Sequence, residues 1–178
     1  MPLSSHHMFQ PADLQRDRAA LRRMNLDYID WIAVNIDRDF GLSLSQLLGT
    51  TLQDYTDNAI DKLCEHNPPE LVFYTILRDH EVCGMGGLRQ LSPGVFEVKR
   101  IYVDPSQRGS GLGQPILSRL MDDARQLGAE KVKLETGPFM KAAHRLYEAA
   151  GFRDTKPYSE AEVPRQLHDR WRFMERLL

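Results

Sequence analysis

The fold of this chain is decided by residues 95–114, which read VFEVKRIYVDPSQRGSGLGQ. Residues 95–103 are rich in β-branched and aromatic side chains, which favour a strand. Pro105 ends that strand, because it has no amide hydrogen to donate to the sheet and favours a turn. Three alternating glycines follow, and apolar residues then recur with a helical period from Ile116 to Leu127. The stretch therefore predicts a strand, a short loop and the start of a helix.

A glycine-rich loop that leads into a helix is suited to binding an anion. The first amides of a helix have no partner within it, they lie at the positive end of the helix dipole, and glycine lets a ligand approach the backbone. Pro115 is tolerated in a first turn, so the helix is predicted to begin near Gly111. The amides of residues 109–114 would then be free for a ligand, beside the cation of Arg108. A loop that only turns the chain is the alternative.

Two common nucleotide-binding loops do not match these residues. A P-loop ends in Gly-Lys-Ser/Thr, whereas Gly113 is followed by Gln114 and Pro115, so the phosphate-binding lysine is missing. The dinucleotide fingerprint requires a third glycine where Gln114 stands. The pattern that remains is Arg-x-x-Gly-x-Gly, formed by Arg108, Gly111 and Gly113.

Length and composition are those of an ordinary globular protein. The 178 residues suit one domain, and a net charge of −2 gives no reason to expect a nucleic-acid partner. No apolar run approaches the roughly 20 residues that a membrane span needs, and no signal-peptide pattern is present, so we expect a cytoplasmic protein without a membrane partner. Cys64 and Cys83 form no disulfide framework, and His6 and His7 have no partner ligands nearby, so we expect reduced thiols and no metal.

The rest of the chain predicts one α/β domain with a mixed sheet. Helices are predicted over residues 13–37, 51–65 and 139–150, and further strands over residues 71–77, 82–91, 131–136, 152–155 and 171–177. Strands joined by tight turns are antiparallel, whereas the strand at 131–136 follows a crossover helix and should lie parallel to the central strand. Gly84, Gly86 and Gly87 weaken the second strand unless another element packs closely on it.

Two motifs resemble the GNAT superfamily of acyl-CoA-dependent N-acetyltransferases. One is Arg-x-x-Gly-x-Gly after a strand that reads Glu-Val-Lys-Arg-Ile-Tyr-Val, and the other is Ala-x-x-Leu-Tyr-x-x-x-Gly-Phe over residues 143–152. Together they cover about residues 95–152. The resemblance implies a single GNAT-like α/β domain over residues 1–178, with its CoA-binding core near 95–152. It also implies a mixed central sheet of about six to seven strands flanked by helices, with a splayed parallel strand pair that holds the cofactor.

In this family the glycine motif binds the pyrophosphate of coenzyme A, so the resemblance implies acetyl-CoA as co-substrate. A bulge in the central strand is implied to part it from the next parallel strand, which leaves amides that bind the pantetheine arm like an added strand. The expected cofactor-binding residues are Ile101, Tyr102, Val103, Arg108, Gly109, Ser110, Gly111, Leu112, Gly113 and Gln114.

The reaction that the resemblance implies needs a base. An amine with a pKa of about 10.4 is mostly protonated at neutral pH and must lose a proton before it attacks a thioester. Glu97 is the expected base, because its spacing to the glycine loop matches a glutamate of the family. Strand alternation predicts that Glu97 shares a face with Ile101. An ion pair with Lys99 or Lys133 is the alternative role, and Glu135 on the neighbouring strand is the reserve candidate.

The leaving thiolate needs an acid, and Tyr147 is the expected donor because the family motif places it on the inward face of its helix. The alternative is a packed tyrosine whose hydroxyl has its own partner. In the family the region before the central sheet borders the acceptor cleft, so Tyr28, Trp31 and Tyr55 are candidates for a substrate pocket.

The implied function is N-acetyl transfer from acetyl-CoA to a primary amine of a small molecule or peptide, by direct attack in a ternary complex. A homodimer is possible, because the family often forms one. Two alternatives remain open at this point. The same fold could serve as a non-catalytic acyl-CoA sensor, or the glycine loop could belong to a nucleotide-binding module.

Overall fold

The computed structural model describes residues 7–65 and 67–178, with the side chains of all of them except Cys64 and Glu65. His6 and the Cys64 side chain, which were considered above, lie outside this description. Cys83 is a free, buried cysteine, and burial raises the pKa of its thiol.

A short strand and three helices come first in the chain, three consecutive strands follow, and helices and strands then alternate as far as the last two strands. The helices are α1 Leu14–Phe40, α2 Leu44–Leu48, α3 Leu52–Glu65, α4 Gly113–Gln126 and α5 Lys141–Ala149, with short 3₁₀ turns at Pro105–Gln107 and Arg165–Arg170. The strands are β1 Met8–Pro11, β2 Leu71–Arg78, β3 Glu81–Ser92, β4 Val95–Val103, β5 Lys131–Thr136, β6 Arg153–Asp154 and β7 Arg172–Leu177.

The strands of the described residues form one seven-stranded sheet in the order β1-β2-β3-β4-β5-β7-β6. Strands β1 to β4 are antiparallel neighbours, β4 and β5 are parallel across the α4 crossover, and β7 is antiparallel to β5. This confirms the predicted α/β domain with a mixed sheet. The edge strand β1 and the five-residue helix α2 were not predicted, because neither is long enough to show a period.

Helices cover both faces of the sheet, and three clusters of apolar residues lie between the layers. On one face, α4 and Tyr147 of α5 pack on Phe96, Val98 and Val132. On the other face, α1 and α3 pack on residues of β2 and β3 such as Phe73. A third cluster joins the second half of α1, α2 and the segment of residues 158–167 before β7. The third cluster brings the C-terminal part of the chain beside α1.

The glycines of β3 allow the close packing that the sequence predicted for them. A Cβ atom at Gly86 would lie 2.7 Å from Cγ2 of Ile116 in α4, and one at Gly87 would lie 2.3 Å from Cδ2 of Phe73. Because real Cβ atoms do not approach so closely, a side chain at either position would push the helix or the ring away. Gly86 therefore sets how near α4 lies to the central strands, and Gly87 leaves room for the ring of Phe73 on the other face.

Candidate active site

Strand β4 carries one extra residue at its centre. Arg100 has a φ of 54°, a left-handed conformation that is strained for a residue other than glycine. On the β3 side, Met85 pairs with Tyr102 but Gly87 pairs with Lys99, so one residue of β3 faces two of β4. This is the bulge that the family resemblance implied.

The bulge also reverses the alternation of side chains along β4. Ile101 packs in the same cluster as Phe96 and Val98, so the prediction that Glu97 shares a face with Ile101 is wrong. The extra residue shifts the two-residue period by one position, so residues on the two sides of the bulge change faces. Glu97 therefore lies on the face opposite to α4.

The parallel pairing of β4 with β5 ends shortly before the bulge. Its register consists of Val95 with Lys131, Phe96 with Val132 and Glu97 with Lys133. Among the described residues no strand pairs with the β5-facing edge of residues 101–103, although their other edge pairs with β3. The two strands are thus splayed, and backbone groups of β4 remain open to a ligand.

The glycine loop follows this open edge and leaves room for a ligand. Gly109 and Gly111 have φ values of 82° and 79°, and no atom lies within 4 Å of the position that a Cβ atom would occupy at either. The guanidinium of Arg108 lies 5.6 Å from the centre of the Tyr102 ring. Positive φ explains why glycine stands at the two positions, and the open space explains how an anion could reach the backbone.

Helix α4 begins at Gly113, two residues later than predicted. The expectation that all amides of residues 109–114 are free is wrong at two positions. The amide of Ser110 donates to the carbonyl of Gln107 at 3.3 Å, and the amide of Gln114 donates to the carbonyl of Gly111 at 3.2 Å. In the described part of the chain, four amides of the loop have no backbone acceptor, namely those of Gly109, Gly111, Leu112 and Gly113.

A cavity of about 720 Å³ connects the glycine loop with the splayed edge of β4 and with α1, α2 and the segment before β7. The structure places nine of the ten expected cofactor-binding residues in its wall, whereas Ser110 does not line it. Glu97, Glu135 and Tyr147 line the same cavity. One continuous space therefore joins the anion site to the candidate catalytic groups.

Tyr147 lies on α5 with its ring 6.0 Å from that of Phe152. The residue is buried, and burial raises the pKa of its phenol to about 12. None of the described residues forms a hydrogen bond with its hydroxyl, although the side chain lines the cavity. The alternative was a packed tyrosine whose hydroxyl has a hydrogen-bond partner. The ring of Tyr147 is packed, but within the described residues its hydroxyl has no such partner.

Glu97 is fully buried and both of its oxygens are engaged. Its Oε2 accepts from Nη2 of Arg89 at 2.6 Å and from Nε at 3.1 Å, and its Oε1 accepts from the hydroxyl of Tyr158 at 2.7 Å. Burial raises the pKa of Glu97, although Arg89 and Tyr158 act in the opposite direction. An ion pair is present as in the alternative role, but with Arg89 instead of Lys99 or Lys133.

Glu135, the reserve candidate, has one free oxygen. Its Oε1 accepts from the amide of Val163 at 3.0 Å, and its Oε2 is buried without a hydrogen-bond partner among the described residues. Burial raises the pKa of Glu135 to about 8, and the charges of Glu97 and Glu162 add to this effect. The carboxyl thus titrates near pH 8, and one of its oxygens forms no hydrogen bond within the described residues.

A second group of charges stands beside the two carboxyls. Lys99 and Arg100 both form ion pairs with Glu162, which lies in the segment before β7. Burial opposes the charged form of Glu162, but Arg100 and Lys99 outweigh it and lower its pKa to about 2. Nη1 of Arg100 donates to Oδ1 of Asn25 in α1 at 2.7 Å. These contacts tie the bulge to α1 and to the C-terminal segment.

The far end of the cavity is apolar and aromatic. Tyr28, Trp31 and Tyr55, the candidates for a substrate pocket, all line it. The rings of Trp31 and Phe139 meet edge to face at 5.3 Å, and those of Phe139 and Trp171 at 5.7 Å. Such a wall favours an acceptor with an apolar body.

Sequence reasoning missed Arg89, Arg100 and Glu162. Arg89 stands next to Gln90 in a strand whose sequence gives no sign of a site. Glu162 lies in a loop whose position depends on the fold of the whole chain. A usable signal existed for Arg100, because Lys99 and Arg100 are adjacent charges inside a strand predicted to be central and buried, where charges need a partner or a function.

Comparison with known proteins assigns the family. The model of the "Acetyltransferase (GNAT) family" matches residues 37–152, about two thirds of the chain. The chain belongs to the GNAT acetyltransferase family. As a GNAT protein it is an acetyltransferase, and the resemblance seen in the sequence is confirmed.

Curated relatives of this GNAT protein are also named acetyltransferases. An uncharacterized N-acetyltransferase from Schizosaccharomyces pombe is 26% identical over 92% of this chain and 97% of the relative. An IAA acetyltransferase from Azospirillum brasilense is 35% identical over 51% of this chain and 60% of its own length. An aminoalkylphosphonate N-acetyltransferase from Salmonella typhimurium is 30% identical over 49% and 60%, respectively.

Solved structures share the GNAT fold. The PaiA N-acetyltransferase from Thermoplasma acidophilum, determined in complex with coenzyme A, superposes with a TM-score of 0.68 over 97% of this chain and 99% of its own. At 12% identity, this similarity concerns the fold alone. It supports the mixed α/β fold described above.

Within residues 7–65 and 67–178, no group of three or more His, Cys, Asp or Glu side chains is arranged to hold a metal ion. Of the helices described, none combines the length and the apolar character needed to cross a bilayer.

Proposed function

We propose that this GNAT enzyme transfers an acetyl group from acetyl-CoA to the primary amine of a small molecule, by direct attack within a ternary complex. The observation that supports this most is the continuous cavity, which joins the glycine loop, the open edge of β4, Tyr147 and Glu135. A glycine loop that only turned the chain would not need to open into a space that contains a free carboxyl oxygen and a free phenol.

The residues around the loop fit coenzyme A. Four amides without a backbone acceptor, with Arg108 beside them, suit the pyrophosphate. Ile101, Tyr102 and Val103 present an unpaired strand edge, which suits the amide-bearing arm of the cofactor. Acetyl-CoA supplies the activated acyl group when bound. The proposed CoA-binding core is therefore the segment of about residues 95–152.

Glu135 is the proposed base. In the transfer, the amine nitrogen forms a bond to the acyl carbon, the carbon–sulfur bond breaks, and the proton of the amine has to leave. Within residues 7–65 and 67–178, Oε2 of Glu135 has no hydrogen-bond partner, and a carboxyl with a pKa of about 8 is partly ionised near neutral pH. It can therefore accept this proton directly or through one water.

Glu97 remains the second candidate. Arg89 and Tyr158 occupy its two oxygens, so it could accept a proton only after one of these bonds breaks. Its negative charge nevertheless helps to raise the pKa of Glu135. We therefore propose that Glu97 acts mainly as a positioning residue, which fixes Tyr158 and tunes the neighbouring carboxyl.

Tyr147 is the proposed hydrogen-bond donor to the leaving sulfur. Because burial raises its pKa to about 12, the phenol keeps its proton across the physiological range. The hydroxyl has no competing partner among the described residues and can turn toward the cofactor site. Stabilisation of the departing thiolate by such a donor is an acid-like role that needs no covalent intermediate.

A small-molecule acceptor is supported by the walls of the cavity. The segment of residues 158–167 packs against α1 and α2, and its residues 162–164 line the cavity, whose volume of about 720 Å³ is in the range of small-molecule sites. Two relatives carry names that mention IAA and aminoalkylphosphonate. The alternative, a non-catalytic CoA sensor, is less favoured because the curated relatives are named as enzymes.

The test is a screen of primary amines that reads the release of free thiol from acetyl-CoA. We expect turnover with a subset of small amines and stabilisation against heat by acetyl-CoA but not by ATP. Stabilisation without turnover on any amine would favour the sensor, and stabilisation by ATP would favour a nucleotide-binding module. Equal melting temperatures with and without acetyl-CoA would contradict the whole proposal. A homodimer and a cytoplasmic location stay predictions.

A further inference from the structure

Two buried polar atoms without partners lie in residues that line the same cavity. They are Oε2 of Glu135 and Nε of Arg100, each buried and without a hydrogen-bond partner among the described residues. Native proteins rarely leave such atoms unsatisfied, because each costs stability. In its ionised form Glu135 needs a hydrogen-bond donor at Oε2, and Nε of Arg100 needs an acceptor. A ligand that carries both an amine and an oxygen acceptor would satisfy the two together.

The position of Arg100 is fixed by its surroundings. The guanidinium donates from Nη1 to Asn25, and its Nη2 lies 3.5 Å from both Tyr55 Oη and Glu162 Oε2. The side chain is only 6% exposed. Because these contacts hold the other two nitrogens, the free Nε–H is presented in a defined place instead of moving with a flexible chain.

The charges near Arg100 favour an anion. Lys99 and Arg100 share the single carboxylate of Glu162, while Glu97 is already paired with Arg89. With its pKa of about 8, Glu135 is largely neutral at pH 7. Two basic side chains thus share one carboxylate in a poorly solvated place, although burial lowers the pKa of Lys99, and an added negative charge on a ligand is stabilising there.

The two unpartnered atoms belong to one neighbourhood. The phenol of Tyr28 lines the cavity. Burial is the main reason that its pKa is raised, but it also responds to Tyr147, Arg100 and Glu135. The contacts show the same proximity, because Arg100 lies 3.5 Å from Oε2 of Glu162 and Glu135 accepts from the amide of the next residue, Val163.

We propose that the acceptor is an amino acid or a related amine that carries an oxyanion, with its amine at Glu135 and its oxyanion at Arg100. This inference rests on the proposed function. A carboxylate and a phosphonate share the required chemistry. The apolar wall of Trp31, Phe139 and Trp171 favours an apolar or aromatic side chain on the same molecule.

The experiment compares amino acids with their uncharged amides, for example phenylalanine with phenylalanine amide and leucine with leucine amide, by thiol release. The amide keeps the side chain and loses the negative charge. Its amine is also less basic, so chemistry alone would favour the amide. We expect the acid to have the higher kcat/KM by at least about tenfold, as for a charged hydrogen bond in a buried site. 1-Aminoalkylphosphonates in the same assay distinguish the two oxyanions.

The second part of the experiment repeats the comparison of acid and amide in variants of Arg100. We expect Arg100→Gln to bring the ratio of acid to amide close to one, mainly through the KM of the acid, and Arg100→Lys to restore part of it. Arg125→Gln, a change at an exposed arginine on α4, should leave the ratio as it is. Acetyl-CoA should stabilise each variant, which separates a loss of acceptor recognition from a loss of folding.

The outcomes separate this inference from the proposed function. Turnover of amides equal to or faster than that of acids would overturn the inference and leave the acetyl transfer intact. If no amine is turned over, calorimetric titration of the CoA complex with phenylalanine and its amide decides. Binding of the acid alone would support the acceptor site without the reaction, and binding of neither would overturn both proposals.

Discussion

The assignment of the base can be tested by the pH dependence of Glu135→Gln. The substitution keeps the size of the side chain and its bond from the amide of Val163, but it removes the group that accepts a proton. The pKa of Glu135 is raised, so its carboxylate form appears only as the pH rises through about 8. A base of this kind is inactive below that pH and fully active above it.

The expected magnitude follows from this pKa. With a pKa of about 8, about one tenth of the Glu135 side chains are ionised at pH 7 and about nine tenths at pH 9. The rate that depends on this base should therefore rise about tenfold over these two units. Loss of a general base typically costs about 100- to 10,000-fold in rate at the plateau.

The assay is kcat/KM for the acceptor from pH 6 to 10, measured for both proteins with the same amine. Dividing the wild-type value by that of Glu135→Gln at each pH cancels the ionisation of the acceptor. This ratio should climb about tenfold between pH 7 and 9 and then level off. Glu148→Gln, an exposed position on α5, is the matched control and should give a ratio near one. A flat ratio below about threefold would refute the role of Glu135.

Three further predictions concern the cofactor, the sulfur donor and the sheet. Arg108→Ala and Gly111→Asp should each weaken acetyl-CoA binding at least about tenfold by calorimetry, the second because it adds a negative charge at a position with a φ of 79°; unchanged affinity would argue against the anion site. Tyr147→Phe should lower kcat about 10- to 100-fold with little change in cofactor affinity, and a normal kcat would assign the phenol to packing. Gly87→Ala should lower the unfolding free energy by about 1–3 kcal/mol in denaturant titrations, because the new Cβ would lie 2.3 Å from Phe73; full stability would show that the ring can move.

Local patterns predicted the elements that have a period or a stop signal. Strands β2 to β5 and β7 were expected from their composition, and the helix expected over residues 13–37 extends to Phe40, where Gly41 caps it with a φ of 66°. The glycine loop and the parallel crossover followed from residue types whose conformations are restricted. These features depend on neighbours in sequence, and the sequence displays them directly.

The charged part of the site could not be predicted in the same way. The partner of Glu97 is Arg89 on the adjacent strand, and the partner of Arg100 is Glu162, 62 residues further along the chain. Such pairs depend on register and on loop placement, which no local pattern encodes. The face of Ile101 was predicted wrongly for a related reason, since simple alternation does not reveal an extra residue in a strand.

The extra residue in β4 links two proposed tasks, the binding of the acyl donor and the binding of the acceptor. The bulge lies between the residues of β4 that pair with β5 and the open edge of residues 101–103 that is proposed for the acyl donor, and it contains Arg100, which is proposed to bind the oxyanion of the acceptor. Deleting the extra residue would restore regular alternation along β4. It would displace both the strand edge proposed for the cofactor and the guanidinium proposed for the acceptor. In the proposed mechanism, donor binding and acceptor choice would therefore both depend on one irregularity of the backbone.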